Sequence, residues 1–316
     1  MTGIVYKSTG SWYSIKAQDG TFYDCRIKGK FRIQGIKSTN PLAVGDVVDF
    51  DLETSNNTQT GVIKTIHSRK NYIVRKSVNL SKKTHIIASN TDQVFLLVTI
   101  DNPPTFTSFI DRFLATTEAY SIKAVLLFNK VDVNDANTKD IVKDLTTLYE
   151  GIGYQCLSIS AKTGENIEAV KSLMTGKSSM FAGHSGVGKS TLVNSIEPGL
   201  NIKTKEISDQ HKQGQHTTTF AEMFDLSFEA QIIDTPGIKG FGVVDMEPAE
   251  LDNYFPELFA LKQSCKFNNC LHLHEPQCAV KSAIENNQVA ASRYKSYTQI
   301  LEGDEEHYRT DNYEPK

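Results

Sequence analysis

The sequence predicts a multidomain protein with an all-β barrel at the N-terminus, a central α/β domain and a C-terminal helical domain. Three observations predict this division. Residues 1–70 contain short apolar runs between turns, residues 71–240 alternate apolar strands with helices, and residues 241–316 show helical periodicity around one loop rich in cysteine and histidine. Such patterns are typical of small barrels, mostly parallel sheets and helical domains, respectively.

The composition is that of an ordinary globular protein. The chain has 316 residues, 39% hydrophobic and 22% charged, with a net charge of −3. No apolar run approaches the roughly 20 residues that span a bilayer, and the N-terminus lacks an apolar signal-peptide core. These features argue against membrane-bound and secreted classes and favour a cytoplasmic protein. Nothing in the sequence demands a dimer, so we expect a monomer.

The N-terminal domain contains five candidate strands, namely Gly3–Lys7, Ser11–Lys16, Thr21–Ile27, Asp46–Asp51 and Thr60–Ile66. Five short strands suit an OB-fold, and an SH3-like barrel fits nearly as well. The domain holds ten Lys/Arg against six Asp/Glu, and part of this excess forms a basic stripe of Arg26, Lys28, Lys30, Arg32 and Lys37. Such a stripe fits either a phosphate backbone or a solvated strand face.

Strands and helices alternate in the central domain. The candidate strands are Gln93–Ile100, Ala124–Phe128, Gln155–Ile159, Ser179–Ala182 and Ala230–Ile233. The candidate helices are Thr107–Tyr120, Asp135–Glu150, Ile167–Met174 and Lys189–Ile196. This alternation predicts βαβ units and a mostly parallel sheet. In the C-terminal domain, helices are predicted at Ala279–Asn286 and Ala290–Leu301.

A glycine-rich loop after the strand Ser179–Ala182 matches the phosphate-binding pattern G-x-x-x-x-G-K-[ST]. Its backbone amides must turn toward phosphates, which requires glycine. Lys189 supplies a charge for the β- and γ-phosphates, and Ser190 supplies a hydroxyl for Mg²⁺. The expected phosphate-loop contacts are Gly183, His184, Ser185, Gly186, Val187, Gly188, Lys189, Ser190 and Thr191.

Two motifs indicate that the base is guanine. The segment Asn129-Lys130-Val131-Asp132 resembles the N-K-x-D motif of GTPases, and Ser160-Ala161-Lys162 resembles their S-A-K motif. A carboxylate at Asp132 accepts hydrogen bonds from both guanine N1–H and the exocyclic amine, a donor pair that adenine lacks. Asn129 is expected to bond the base and the Lys130 stem to cover the ring. A surface turn would explain the first motif alone, but it does not explain both motifs at strand ends.

A fourth motif, Asp234-Thr235-Pro236-Gly237, follows the strand Ala230–Ile233 and resembles the D-x-x-G loop. In such loops the aspartate orients Mg²⁺ through water, and the glycine amide meets the γ-phosphate. One threonine of the run 217–219 is expected to close over Mg²⁺, with Thr218 as the candidate. A threonine run that simply opens a strand is the alternative.

The residue after Gly237 is Ile238, where Ras-like GTPases place the glutamine that positions water. Isoleucine cannot orient water, so either intrinsic hydrolysis is slow or another group acts. His216, just before the threonine run, is the best candidate for that group. A solvated histidine without a catalytic role is the alternative.

The order of the motifs is unusual. The two base motifs precede the phosphate loop and the D-x-x-G loop, whereas in typical GTPases they follow them. A circular permutation of the same domain explains this order, because such a permutation is tolerated where chain termini lie near one another.

Three of the five cysteines lie close together in the C-terminal domain, at Cys265, Cys270 and Cys278, with His272 and His274 between them. In a reducing compartment this cluster indicates a metal before a disulfide. Four soft ligands suit tetrahedral Zn²⁺ in a closed, structural site. His272 and His274 compete for the fourth position, and three buried free cysteines are the alternative.

Together these residues resemble the circularly permuted bacterial GTPases that depend on the small ribosomal subunit, the RsgA/YjeQ family. The resemblance covers nearly the whole chain and includes the pattern C-x₄-C-x-H-x₅-C, which implies His272 as the fourth metal ligand. It also implies an OB-fold that binds 16S ribosomal RNA, GTP hydrolysis stimulated by the 30S subunit, and a role as a late assembly checkpoint.

Three other functions fit parts of the pattern. A P-loop kinase or ATPase would share the phosphate loop but not the two base motifs. A GTP-dependent metal chaperone would use the cysteine cluster as a cargo site, although closed sites exchange metal poorly. An RNA-binding module with a vestigial nucleotide site conflicts with intact Lys189, Ser190 and Asp234.

Overall fold

The computed structural model of the chain describes residues 1–27, 41–55, 58–76, 84–200, 221–234 and 246–303. Within these ranges it contains thirteen strands and seven α-helices. None of these helices is long and apolar enough to cross a membrane.

The five N-terminal strands close into a barrel. They are β1 (Thr2–Ser8), β2 (Tyr13–Ala17), β3 (Phe22–Ile27), β4 (Val47–Ser55) and β5 (Thr58–Ile66). They pair in the order β1-β2-β3-β5-β4, and pairing of β4 with β1 closes the barrel. Val5, Ile15 and Phe50 are at most 1% exposed, because alternate side chains of each strand fill the interior. The predicted OB-like barrel is confirmed.

A buried ion pair connects the barrel to the next segment. Arg69 donates from Nε and Nη2 to the two carboxylate oxygens of Asp46, at 2.6 Å each. Ser89 Oγ donates to the same carboxylate at 2.6 Å. Ser89 is the last residue of β7 (Thr84–Ser89), which pairs with β6 (Tyr72–Lys76) in a two-stranded hairpin. Removing one partner of a buried ion pair costs about 3–5 kcal/mol of folding free energy. These contacts of Asp46 therefore hold the hairpin against the barrel.

The central sheet has the predicted α/β architecture. Its strands are β8 (Gln93–Val98), β9 (Lys123–Phe128), β10 (Gln155–Ser158), β11 (Ser178–Ala182), β12 (Glu222–Leu226) and β13 (Ala230–Asp234). They lie in the order β10-β9-β8-β11-β13-β12, and β12 alone of these is antiparallel to its neighbour. Every residue of β8 is buried, as expected for a strand covered on both faces.

Helices cover both faces of this sheet. They are α1 (Thr107–Ala119), α2 (Ala136–Ile152), α3 (Ile167–Met174) and α4 (Lys189–Ile196). One apolar core contains residues of α1 and α2, and a second, on the other face, contains residues of α3 and α4. At the edge of the sheet, β12 also pairs with β1, so the barrel strands and the central strands form one continuous sheet.

The C-terminal residues form a small helical unit. A 3₁₀ helix (Pro248–Tyr254) precedes α5 (Pro256–Lys262), α6 (Ala279–Glu285) and α7 (Ala291–Leu301). Arg293 of α7 is fully buried and donates to Asp111 of α1 at 2.9 Å and to Glu257 of α5 at 2.6 Å. A buried charge without its partner is strongly destabilising, so the bond between Arg293 and Asp111 attaches the C-terminal unit to the central domain.

Candidate functional site

Three predicted motifs and Asp234, the first residue of the fourth, lie at the carboxyl ends of the central strands. N-K-x-D follows β9, S-A-K follows β10, the phosphate loop follows β11, and Asp234 ends β13. The four strands are parallel, so their carboxyl ends lie on the same side. Open α/β sheets bind their ligands at the carboxyl ends of the strands.

The phosphate loop needs glycine at three positions. Gly183, Gly186 and Gly188 have φ angles of 139°, 82° and 101°, which side-chain-bearing residues rarely adopt. A Cβ atom on Gly188 would lie 2.4 Å from Asn129 Nδ2, and one on Gly183 would lie 2.7 Å from the carbonyl oxygen of Leu97. At Gly183 and Gly188 the loop therefore packs too closely against the ends of β8 and β9 for a side chain.

Lys189, the first residue of α4, extends its side chain back to the start of this loop. Its Nζ donates to the carbonyl oxygens of Gly183 at 2.6 Å and of His184 at 2.7 Å. Burial lowers the pKa of Lys189 to about 8, because the charged amine loses hydration there. An anionic phosphate beside the amine would favour the charged form again, so the loop is suited to an anion.

The other loop residues vary in exposure. Ser185 and Gly186 are exposed, whereas Val187 is fully buried. The His184 ring packs against Phe109 of α1 with ring centroids 3.9 Å apart. Ser190 and Thr191 lie in the first turn of α4, where unpaired backbone amides attract anions.

Asn129, the first residue of the N-K-x-D motif, contacts both the phosphate loop and the S-A-K motif. Its Nδ2 donates to the carbonyl oxygen of Val187 at 2.7 Å, and its Oδ1 accepts from the backbone amide of Ala161 at 3.0 Å. The side chain is 4% exposed. The Asn129 amide thus holds the three motif loops together, and its contact with the base stays a prediction.

Lys130 also contacts the phosphate loop. Its backbone is left-handed, with φ of 69°. The Nζ atom donates to the carbonyl oxygens of Asn102 at 2.6 Å and of Gly186 at 2.8 Å. Its stem therefore extends between the two loops, and its packing on one face of a base stays a prediction.

Asp132 is exposed at the same carboxyl ends of the strands. Ser160 Oγ donates to Asp132 Oδ1 at 2.7 Å and accepts from the backbone amide of Thr163 at 3.1 Å. This bond orients the carboxylate and leaves Oδ2 available for a ligand's donors. Lys162 is exposed beside them.

Asp234 lies at the end of β13. Burial raises the pKa of its carboxyl, and the negative charge of Glu222 on β12 adds to this effect. A buried carboxylate of this kind gains stability from a cation. The remaining predicted site residues, His216, Thr218 and Gly237, lie outside the described residues, as do Ile238 and four members of the basic stripe, Lys28, Lys30, Arg32 and Lys37.

The predicted metal ligands form one buried cluster. The ligand atoms of Cys265, Cys270, His272 and Cys278 all lie within 4.8 Å of one another. His272 Nδ1 is 3.4 Å from Cys278 Sγ and 3.7 Å from Cys265 Sγ. Burial raises the pKa of Cys270 to about 12, and a bound cation would reverse this because it stabilises the thiolate.

Of the two candidate histidines, the structure brings His272 to the three thiols. His272 is fully buried in the cluster, whereas His274 is exposed. His272 Nε2 lies 3.2 Å from Asp252 Oδ2, and Lys262 Nζ donates to Asp252 Oδ1 at 2.7 Å. Such a carboxylate fixes the ring orientation so that Nδ1 faces the thiols. Sequence reasoning missed Asp252, because it lies 20 residues from His272 in an ordinary acidic segment.

Known proteins resemble the chain over almost its full length. The sequence model of the RsgA GTPase family matches residues 66–244, and that of the RsgA N-terminal domain matches residues 2–63. The small ribosomal subunit biogenesis GTPase RsgA of Flavobacterium johnsoniae is 67% identical, covering 99% of this chain and 96% of the relative. The protein of the same name from Christiangramia forsetii is also 67% identical, covering 99% and 100%.

Solved structures show the same fold. YjeQ from Thermotoga maritima superposes with a TM-score of 0.78 at 35% identity, covering 96% of this chain and 97% of that one. YloQ, a circularly permuted GTPase, superposes with a TM-score of 0.72 at 28% identity, covering 96% and 94%. The resemblance inferred from the motifs is confirmed. The chain therefore belongs to the RsgA GTPase family and is a GTP-hydrolysing enzyme.

Proposed function

We propose that the chain hydrolyses GTP during late maturation of the 30S ribosomal subunit, binding 16S rRNA and being stimulated by the subunit. One observation carries the nucleotide part of this proposal. Asn129 hydrogen-bonds the phosphate loop to the S-A-K motif, so guanine-reading and phosphate-binding groups form one site. The relatives' name, small ribosomal subunit biogenesis GTPase, supports the ribosomal part.

In this proposal each motif has a separate task. Asp132 reads the guanine edge, Lys130 covers the ring, and Ser160 through Lys162 complete the base site. The amides of residues 183–188 and the Lys189 ammonium bind the phosphates. When bound, Mg²⁺ neutralises charge that develops on the phosphates. The residues proposed to hold Mg²⁺ are Ser190, Thr218 and, through water, Asp234; the Gly237 amide meets the γ-phosphate.

The proposed hydrolytic step needs a group that orients the attacking water. Ile238 lacks a polar atom, so we assign this task to His216, which precedes Thr218 by two residues in the sequence. Slow turnover by the free protein follows, because His216 must be placed against the nucleotide before it acts. The 30S subunit would provide that placement.

We propose that the cysteine cluster holds one structural Zn²⁺. Zn–S distances near 2.3 Å place tetrahedral sulfur ligands about 3.8 Å apart, and Cys265 Sγ and Cys278 Sγ are separated by 4.0 Å. Three sulfurs and one imidazole leave no position for substrate. The burial of all four ligands also argues against a cargo site for metal transfer.

The proposed organisation is an RNA-binding barrel at residues 1–70, a permuted GTPase domain at 71–240 and a zinc-binding domain at 241–316, in a monomeric cytoplasmic protein. Residues 1–70 hold ten Lys/Arg against six Asp/Glu, whereas residues 241–316 hold seven Lys/Arg against thirteen Asp/Glu. RNA is therefore expected at the barrel, where Arg26 is about half exposed.

Binding to purified 30S subunits should be stronger with a non-hydrolysable GTP analogue than with GDP, by roughly 5–150-fold. The physical reason is that the γ-phosphate is proposed to contact the segments that hold Thr218 and Gly237. In switch GTPases the corresponding segments are ordered by the γ-phosphate and released after hydrolysis. Pelleting assays measure this ratio directly. Affinity should also fall steeply with salt, since Lys and Arg release counterions from RNA.

The control is a variant in which the basic stripe Arg26, Lys28, Lys30, Arg32 and Lys37 is replaced by glutamine. It should lose 30S binding while retaining GTP binding, because the stripe lies in a different domain from the phosphate loop. Equal binding of the wild type in both nucleotide states, or full binding by this variant, would contradict the proposal.

A further inference from the structure

The barrel and the central sheet are joined through a small set of polar side chains. β1 pairs with β12 at Lys7 and Glu222, and Lys7 Nζ lies 3.1 and 3.0 Å from the two Glu222 oxygens. Three positions further along β12, Asp225 accepts from Tyr6 Oη at 2.7 Å and from Lys16 Nζ at 2.6 Å. The barrel thus places one lysine on each of two β12 carboxylates.

These two carboxylates lie on opposite faces of the sheet. Side chains alternate along a strand, so Glu222 shares its face with Leu226, and Asp225 shares the other face with Met223. Leu226 belongs to the core that contains α4 residues, whereas Met223 belongs to the core on the opposite side. Glu222 therefore lies on the face of the phosphate-loop helix, and Asp225 does not.

Glu222 is the direct cross-strand partner of Asp234. Directly opposed residues of an antiparallel pair project to the same face with Cβ atoms about 5 Å apart, and like charges there repel. Lys7 supplies the opposite charge to Glu222 from the barrel.

The ion pair contributes little to folding. The side chains of Lys7 and Glu222 are 45% and 36% exposed, and exposed pairs typically add less than about 1 kcal/mol. Its effect is instead local, because Asp234 is half-buried, and a partly buried charge is screened from its neighbours less than an exposed one.

We propose that Lys7 and Glu222 are positioning residues for the Mg²⁺·GTP site: Glu222 adds negative charge beside Asp234, and Lys7 of the barrel offsets it. The inference rests on the proposed role of Asp234 in orienting Mg²⁺. It makes the RNA-binding domain a direct contributor to the charge of the nucleotide site. Neither Lys7 nor Glu222 belongs to the four nucleotide-binding motifs of the sequence.

The test is the Mg²⁺ dependence of GTP turnover and of binding of a non-hydrolysable GTP analogue. Glu222→Gln removes a negative charge and should raise the half-saturating Mg²⁺ concentration by about two- to fivefold. Lys7→Met removes the positive charge that offsets Glu222 and should lower the half-saturating Mg²⁺ concentration by a similar factor. The double variant should match Glu222→Gln, because Lys7 acts only through Glu222.

Two further variants separate charge from structure. Lys7→Arg keeps the charge and should restore the Mg²⁺ dependence of the wild type. Lys16→Met removes the equivalent barrel contact at Asp225 on the opposite face and should leave the Mg²⁺ dependence unchanged. Should Lys7→Met prove unstable, Glu222→Gln and Lys7→Arg still test the proposal.

Equal shifts in Lys7→Met and Lys16→Met would overturn the inference, because they would show a structural effect of the interface. Unchanged Mg²⁺ dependence in Glu222→Gln would overturn it as well. A wild type that binds the GTP analogue equally well with and without Mg²⁺ would instead overturn the proposed Mg²⁺ site, and the inference with it. The wild-type titration therefore distinguishes the two failures.

Discussion

Replacing Asp132 by asparagine is expected to weaken GTP binding by about a hundred- to ten-thousandfold and to create a preference for xanthosine triphosphate. The carboxylate accepts from two guanine donors, and each charged hydrogen bond contributes about 1.5–3 kcal/mol. Asparagine presents a donor, which clashes with the guanine amine but pairs with the C2 carbonyl of xanthine. Competition binding with GTP, ATP and xanthosine triphosphate measures the change.

Ser160→Ala is the matched control for Asp132→Asn. It removes the 2.7 Å hydrogen bond that orients Asp132 but keeps the carboxylate. GTP affinity should fall by about tenfold, typical of one lost hydrogen bond, without any gain for xanthosine triphosphate. If Asp132→Asn still preferred GTP, or if the wild type bound ATP as tightly as GTP, Asp132 would not read the base.

Loss of the metal is expected to unfold the C-terminal helical unit. Its core contains Leu251, Phe255 and Tyr297 packed with the three clustered cysteines, so the ligands are also core residues. Structural Zn²⁺ contributes on the order of 10 kcal/mol to such small domains. His272→Ala should abolish the one Zn²⁺ per chain and lower helix content, as measured by elemental analysis and circular dichroism.

His274→Ala should retain both the metal and the helix content, because His274 is exposed and outside the cluster. Asp252→Asn should retain the metal with about 10–100-fold weaker affinity, since it removes the charged partner of His272 Nε2. A metal that stays bound in His272→Ala and is lost from His274→Ala would reverse the ligand assignment.

Elements whose residues carry a local signal were predictable. The five barrel strands, the buried strand β8 and the phosphate loop before α4 were all identified, because apolar periodicity and glycine spacing are properties of short segments. The hairpin β6–β7 was not predicted. Its antiparallel register connects positions such as Tyr72 and Ser89, and nothing in either segment specifies that partner.

Contacts between distant segments explain what sequence reasoning missed at the site. Asn129 hydrogen-bonds the phosphate loop and the S-A-K motif, which lie 58 and 32 residues away, and its own motif did not predict these two bonds. The pairing of Lys7 with Glu222 and of Asp111 with Arg293 spans 215 and 182 residues. Motif spacing identifies which residues carry chemistry, whereas only the fold determines which charges are neighbours.

The most direct test of the central claim is GTP turnover by the purified chain with and without purified 30S subunits, with 50S subunits as the control. We expect slow turnover alone, because Ile238 cannot orient water, and an increase of at least about tenfold with 30S subunits only, since stimulation supplied by a partner reaches 10³–10⁵ in other GTPases. Turnover that is unchanged by 30S subunits, or raised equally by 50S subunits, would contradict the proposed function.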